Sequence, residues 1–342
     1  MYGGRQDIRR KVIRFVGKPK LRIEEDALRI LRAFRFISKL GFNLDKKTAE
    51  AICKKRKFLT KISKERIFDE LSKILMGKFV KKALIEMKKL RVLEMIIPEF
   101  RYAYNFDQNN PIHTDDLFNH IIKVIHLCDY DLITRFAALF HDLGKINAKI
   151  IDAKGIFYFY GHEKESALIA EEELKQLKAS NDFINSVKKI VKNHMLIYQD
   201  VSDKTLKKLI IEMEEKNLKR LFNLFSADLN SKGLRTKKEN EEILQNFREK
   251  IENIKKQGKI PQFNDLDITG IDLINLKFSN REIGEVKNRL YELVLGDEIE
   301  NEKEALLKYV VKHYKLNDNF EYENSCGAIV FNENTEKILL VK

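Results

Sequence analysis

The chain has no tryptophan, only 4 prolines and 14 glycines in 342 residues, and 3 cysteines. So little proline and glycine excludes a collagen-like or low-complexity chain, and 44% hydrophobic content excludes a wholly disordered one. Cys53, Cys128 and Cys326 are far apart and odd in number. They give neither a disulfide framework nor a zinc-ligand spacing, which points to a reducing cytoplasmic setting. No apolar run approaches the roughly 18 residues of a membrane span, so no membrane partner is expected, and no signal-peptide pattern opens the chain. Length alone allows two or three domains, each able to bury a core without covalent staples.

Positive charge is abundant and unevenly placed. The net charge is +13, and residues 1–66 hold 21 Lys and Arg against 7 Asp and Glu. All of the excess therefore sits in the first fifth of the chain. A genome-wide lysine bias would spread along the sequence and would not account for Arg9, Arg10, Arg14, Arg22, Arg29, Arg32 and Arg35. A concentrated basic field attracts a polyanion, so a nucleic acid or nucleotide is the expected partner.

The pattern of apolar residues is mainly helical, giving an expected fold class of mainly α with short β remnants at both ends. Residues 1–20 look unlike a helix, and KVIRFVG reads as a β-prone run, the last strand of something. A helix is expected from about Glu24 to Leu40, with Ala27, Ile30, Leu31, Phe34 and Ile37 on one face and Gly41 as its stop. Amphipathic helices run on to about Ile97, and a polar connection follows at 101–112. A second helical block spans about 114–232, interrupted by a hairpin, KIIDAKGIFYFYGH, with its turn at Asp152–Gly155. Lys- and Glu-rich helix continues to Lys256, a linker lies near Pro261, and a small block occupies about 266–313. The last residues read as a hairpin with its turn at Asn332–Thr335.

Two constellations carry chemistry. In RIEEDALRILRAFRF, Asp26 and Arg29 stand at i, i+3, which on a continuous helix is one face, and Arg32 and Arg35 continue the step. A carboxylate accepts from an exocyclic amine while a guanidinium donates to the neighbouring ring nitrogen. Cytosine and adenine share that order of groups, and guanine and uracil reverse it, so one Asp–Arg pair could accept C and A alone. The plain alternative is a solvated intrahelical ion pair. The second constellation is His141–Asp142, the only His-Asp dipeptide, at the end of an apolar helix. His120, Asp228, His162 and His194 lie on or near the ends of other expected helices. Imidazole and carboxylate together suit a divalent metal such as Mg, Mn, Ni or Co.

GGRQDI, KVIRFVG and RIEEDALRILRAFRF in that order, with ISKERIFDEL at 62–71, resemble the tRNA nucleotidyltransferase (CCA-adding) and bacterial poly(A) polymerase family over about residues 1–110. The resemblance implies tRNA, CTP and ATP as partners. It places base reading at Asp26 and Arg29, puts Arg32 and Arg35 near the triphosphate, and has Glu65 and Arg66 bracing the nucleotide-binding helix. Members of the family begin with a head whose Gly-Ser stretch and Asp-x-Asp carboxylates hold Mg. This chain starts at the end of such a head, so the expectation is that it does not polymerise alone.

Residues 113–232 resemble the HD phosphohydrolase superfamily. That likeness implies core metal ligands His120, His141, Asp142 and Asp228, with His162 and His194 widening the site. Lys145 would face a substrate phosphate or, on the plain reading, be an exposed lysine beyond a helix end. His113, His126 and His313 read as surface or packing residues. Residues 265–310 resemble the tRNA-contacting tail of CCA-adding enzymes, with Lys277 where that pattern has glycine. SCGAIVF and KILLVK resemble the first hairpin of a Nudix hydrolase.

The expected division is therefore 1–20 as the end of a head, 21–110 as neck and body, 111–235 as a metal domain, 236–313 as linker and tail, and 314–342 as a truncated hairpin. Two rival readings stay open: a metal-dependent phosphohydrolase with a basic RNA-binding arm, and a passive tRNA-binding fragment.

Overall fold

The structure, a computed structural model, describes residues 3–108, 115–314, 329–332 and 337–340. It is mainly α and divides into two units, Met1–Asp200 with Glu212–Lys250, and Val201–Ile211 with Ile251–Lys342. The chain begins α1 (Gly4–Arg9), β1 (Val12–Ile13), α2 (Pro19–Glu25), α3 (Arg29–Leu40), β2 (Asn43–Leu44), α4 (Lys46–Lys55), α5 (Lys64–Leu75), α6 (Val80–Lys89) and α7 (Phe100–Ala103). Next come α8 (Leu117–Leu127), α9 (Leu132–Phe140), β3 (Ile150–Ile151), β4 (Phe157–Tyr158), α10 (His162–Gln176) and α11 (Asn181–Asn193). After α12 (Asp203–Glu212), which belongs almost wholly to the second unit, α13 (Glu215–Lys232) and most of α14 (Lys237–Lys256) complete the first.

Side-chain caps set where the helices of the first unit begin. Asp45, Asp116, Asp131 and Ser180 each accept the backbone N–H three residues on. α3 ends as its sequence implies, at Gly41 with φ +71°, a left-handed cap that glycine adopts without strain. Ile30, Leu31, Phe34 and Ile37 of α3 are fully buried, and α3 packs on α5 and α6. At about 1.5–3 kcal/mol for each large apolar side chain, this face secures the neck. Further along, α8, α9, α11 and α13 pack together, and α10 lies on α11.

Three local expectations are corrected. Residues 1–20 do contain helix: α1 is there, and α2 starts at Pro19, where a missing N–H and a preset φ favour a first helical position. KVIRFVG contributes only Val12–Ile13 as strand, paired in parallel with Asn43–Leu44 inside the same unit. The single helix expected over 24–40 is two. Asp26 breaks it with an extended backbone (φ −153°, ψ 101°), and its Oδ1 accepts the N–H of Leu28 at 3.1 Å. A short acidic side chain that can bond nearby backbone competes with helix continuation.

The hairpin expected around residue 152 is present, with Ile150 opposite Tyr158 and Ile151 opposite Phe157 in antiparallel register. In the second unit β5 (Ile329–Asn332) pairs antiparallel with β6 (Lys337–Leu340). Most of its expected turn, Cys326 and His113 lie outside the described residues.

The second unit is built on α15 (Gly270–Asn275), α16 (Asn280–Leu295) and α17 (Lys303–His313), with Leu273, Leu290, Leu306 and Val310 in its core. Lys207 of α12 joins it through both oxygens of Asp297, at 2.7 and 2.6 Å. Lys277, just after α15, takes φ +65°, so the turn keeps a left-handed residue although the side chain is not glycine. A non-glycine residue there carries roughly 1–2 kcal/mol of strain, partly offset because glycine is freer in the unfolded chain. Lys277→Gly is therefore expected to stabilise this unit by about 0.5–1 kcal/mol in thermal or urea unfolding. A loss of that size would mean that contacts of the lysine outweigh the strain.

Candidate functional site

The helix ends of the first unit deliver six side chains to one buried point. His120 comes from α8, His141 and Asp142 from the end of α9, His162 from the start of α10, His194 from the end of α11 and Asp228 from α13. None is more than 4% exposed. Asp142 stands at the centre and serves two groups. Its Oδ2 lies 3.1 Å from His120 Nε2 and 3.4 Å from His141 Nε2, and its Oδ1 lies 3.1 Å from His162 Nε2 and 3.5 Å from His194 Nε2. The imidazoles also face one another, at 3.2 Å for His120 and His141 and 3.3 Å for His162 and His194. Asp228 Oδ1 is 3.2 Å from His120 Nε2. All four sequence-expected core ligands are thus brought together, and His162 and His194 join through the shared carboxylate.

The outer ring nitrogens explain why these inner ones are ligand-like. Nδ1 of His141, His162 and His194 each lies 2.7–2.8 Å from a backbone carbonyl, those of Ala138, Phe159 and Val191. A carbonyl only accepts, so each of these rings keeps its proton on Nδ1 and presents the Nε2 lone pair inward. His162 and His194 then aim lone pairs at each other and at a carboxylate, which is repulsive without a cation between them. Asp228 Oδ1 is buried and accepts no well-formed hydrogen bond, another inward lone pair. Ligand atoms about 2.1 Å from one octahedral ion stand about 3 Å apart, and that is the spacing found here. The donor set fits one or two divalent cations, with Asp142 able to bridge.

The site's electrostatics agree. Burial opposes ionisation of Asp142, but His141, Lys145 and His120 together hold its carboxyl well below the usual range. Asp228 is likewise driven down against its burial, by Lys232, His120 and His141. His120 is desolvated, yet Asp142 and Asp228 raise its pKa above the ordinary imidazole value. Lys145 is buried, correcting the expectation of an exposed lysine. Its Nζ is 2.7 Å from Asp142 Oδ2 and 2.9 Å from Gln108 Oε1, and desolvation lowers its pKa despite Asp142.

Several functional neighbours escaped the sequence reading. Tyr198 donates to Asp228 Oδ2 at 2.7 Å, Lys232 reaches the same oxygen at 3.1 Å, and Ser231 Oγ sits 3.2 Å from His120 Nδ1. Ser231 and Lys232 follow Asp228 at i+3 and i+4, a helical spacing that could have flagged them. Gln108 carries no such signal. Gly144 matters through close approach, since a Cβ there would lie 2.4 Å from both His162 O and Ser166 N.

The neck residues gather differently from the pattern expected. Because Asp26 sits in the break, it and Arg29 do not share a helix face. Arg29 donates to the Arg22 carbonyl and to Glu25 Oε2, each at 2.7 Å. Asp26 instead faces Arg66 at 3.5 Å and Arg32 at 3.8 Å. Arg35 is held by Glu70 at 2.9 Å, with Arg32 4.0 Å from the same oxygen. Arg66 thus braces Asp26, whereas Glu65 is exposed and joins none of these pairs. Glu70, buried and missed in the sequence, is the residue that steadies the arginines.

Residues 41–104 match the family model described as "Probable RNA and SrmB- binding site of polymerase A", and residues 157–310 match "tRNA nucleotidyltransferase domain 2 putative". The A-adding tRNA nucleotidyltransferase of Deinococcus radiodurans is 30% identical over 237 residues, 66% of this chain and 54% of that protein. The CCA-adding enzyme of Bacillus subtilis is 33% identical over 226 residues, 61% of this chain and 55% of that protein. The chain spans about half the length of these curated relatives. Among solved structures, the Bacillus stearothermophilus CCA-adding enzyme in complex with CTP gives a TM-score of 0.58 at 22% identity, covering 91% of this chain and 67% of that one. That likeness is one of fold.

Proposed function

The chain belongs to the CCA-adding tRNA nucleotidyltransferase and poly(A) polymerase family, and from that premise we propose that it serves tRNA 3′-end maturation in the cytoplasm. Its neck selects CTP and ATP, and its basic first fifth and its tail hold tRNA. The observation that supports this reading is the set of partly exposed groups at the α2–α3 break. Asp26 is an acceptor there, with Arg29, Arg32 and Arg35 as donors, steadied by Arg66 and Glu70. Magnesium for transfer goes with carboxylates of the family's head, and no residue described here is assigned to it.

Asp26→Ala is expected to weaken CTP and ATP binding about tenfold, the scale of one charge-assisted hydrogen bond. Metal uptake at the histidine cluster should be unchanged in that variant. Equal competition by CTP, ATP, GTP and UTP in the wild-type chain would sink the selection argument.

A second reading has its own support in the converging Nε2 atoms: the cluster is a divalent-metal centre, with Mg, Mn, Ni or Co, that hydrolyses phosphoesters. When bound, such an ion supplies an acidified water and a polarised phosphorus–oxygen bond. The protein supplies the rest. Gln108 holds Lys145 where it balances phosphate charge, Asp228 with Tyr198 and Lys232 offers a fixed acceptor beside the water, and burial excludes bulk solvent. In the reaction water oxygen bonds to phosphorus, the ester P–O bond breaks, and the leaving alkoxide takes a proton. Metal content and turnover that both vanish in His141→Ala would support this. Metal-free protein with full tRNA affinity would leave the passive tRNA-binding reading.

A further inference from the structure

The hairpin that leads into α10 carries aromatic side chains along the edge of the cluster. Lys145, 2.7 Å from Asp142, has its ammonium 5.5 Å from the centre of the Phe159 ring. Phe159 meets Phe106 with ring centres 6.0 Å apart. Lys149 closes the row, 5.5 Å from the Phe106 ring and 3.3 Å from the Phe157 ring. Three partly exposed phenylalanines and two ammonium groups therefore run without a break from Asp142 to the protein surface. Lys149 has ring faces and no carboxylate as partners among the described residues, so its charge is not neutralised within the row. A site for a small phosphoester alone would need the cluster and Lys145, and not this extension.

We propose that Phe106, Phe157, Phe159 and Lys149 form a nucleotide-binding rim of the His–Asp site, so that its substrate is a phosphate attached to a nucleoside. This rests on the phosphoester reading of the cluster. Stacking on ring faces is tolerant of base identity, and an ammonium beside the rings pairs with a further phosphate or with the base edge. Phe159 also connects the rim to the centre through the chain, because its carbonyl fixes the His162 ring at 2.7 Å. The shared ligand chemistry is a nucleoside phosphate, whether free or at an RNA end.

The test compares AMP with ribose 5-phosphate, which carry the same phosphoester and differ in the base. Binding is titrated calorimetrically to the full chain equilibrated with Mn2+, in an Arg29→Ala background so that the neck does not contribute. AMP is expected to bind about tenfold more tightly, the lower range of base–aromatic stacking. In Phe157→Ala and in Lys149→Ala that ratio falls to about twofold, while ribose 5-phosphate affinity stays within about twofold of the parent. Phe157→Leu, which keeps apolar packing but removes the ring, separates stacking from misfolding and gives the same loss of preference.

Equal affinity for the two ligands in the parent, or parallel loss of both in the variants, overturns the rim. Failure of the underlying phosphoester reading looks different: no Mn2+ uptake or no turnover, with the AMP preference intact. A short oligoribonucleotide bearing a 3′-phosphate that outcompetes AMP assigns the rim to an RNA end, and parity assigns it to free nucleotide.

Discussion

Asp142→Asn is expected to abolish tight metal uptake, with Mn2+ or Co2+ affinity falling at least about a hundredfold, beyond the tenfold typical of an outer-shell change. The reason is geometric: both oxygens are in use, one toward His120 and His141, the other toward His162 and His194. An amide offers one acceptor and turns a donor toward inward-facing lone pairs. The metal-free variant should also be less stable by about 3 kcal/mol, because Lys145 and the histidines lose their central buried anion. Thermal unfolding with and without Mn2+ reads both effects. Wild type should gain about 2.7 kcal/mol when the ion is present at a hundred times its Kd, and the variant should gain almost nothing.

The pH dependence has a definite sign. Asp142 and Asp228 are depressed in the folded chain, so their stabilisation is present above the unfolded carboxylate pKa of about 3.9 and is lost as pH falls through the lower folded value. His120 is raised, so its contribution is complete below about pH 6.5 and is lost as pH rises through its folded value. Protons compete with metal for that nitrogen, and Mn2+ affinity should therefore climb with pH through and above that range. Affinity that is flat from pH 5.5 to 8.5 would place the ion elsewhere.

The ligands of the cluster were legible because metal chemistry restricts residue types and helices leave their ends in predictable places. His141–Asp142 at the end of an apolar run was enough to orient the search, and His120, His162, His194 and Asp228 followed from their expected helix positions. What surrounds them was not legible. Gln108 and Tyr198 reach the site from turns, and Lys145 looked exposed because one lysine after a helix resembles any other until its partners fold around it. The neck misled for a different reason. Helical periodicity continues through Asp26 without interruption, yet its carboxylate bonds the Leu28 N–H and ends the helix, moving Asp26 away from Arg29 and toward Arg66. Glu70 gave no signal, since a buried glutamate and a surface one look alike in a charged helix.

Arg135→Ala should be the most damaging single change outside the cluster, costing about 3–5 kcal/mol, the range for a buried charged group removed from a network. The Arg135 side chain is 2% exposed and has no carboxylate partner. Its guanidinium donates to the carbonyls of Leu75, Gly77, Cys128 and Asp129, and Tyr130 lies over it at 4.3 Å. Leu75 ends α5, the helix that carries Arg66 and Glu70 of the neck, while Arg135 lies on α9, which ends at His141. Truncation leaves four carbonyls short of donors and opens a cavity between those helices. Arg135→Lys keeps the charge but cannot span all four acceptors, so it should recover less than half of the loss. Phe68 stacks on Phe136 and meets Phe183 edge-on across the same contact, so the helices should stay paired in urea too mild to unfold the chain. If Arg135→Lys loses CTP selectivity and Mn2+ affinity together while remaining folded, the two sites are read by one clamp. If it loses stability alone, the clamp only holds the neck to the body.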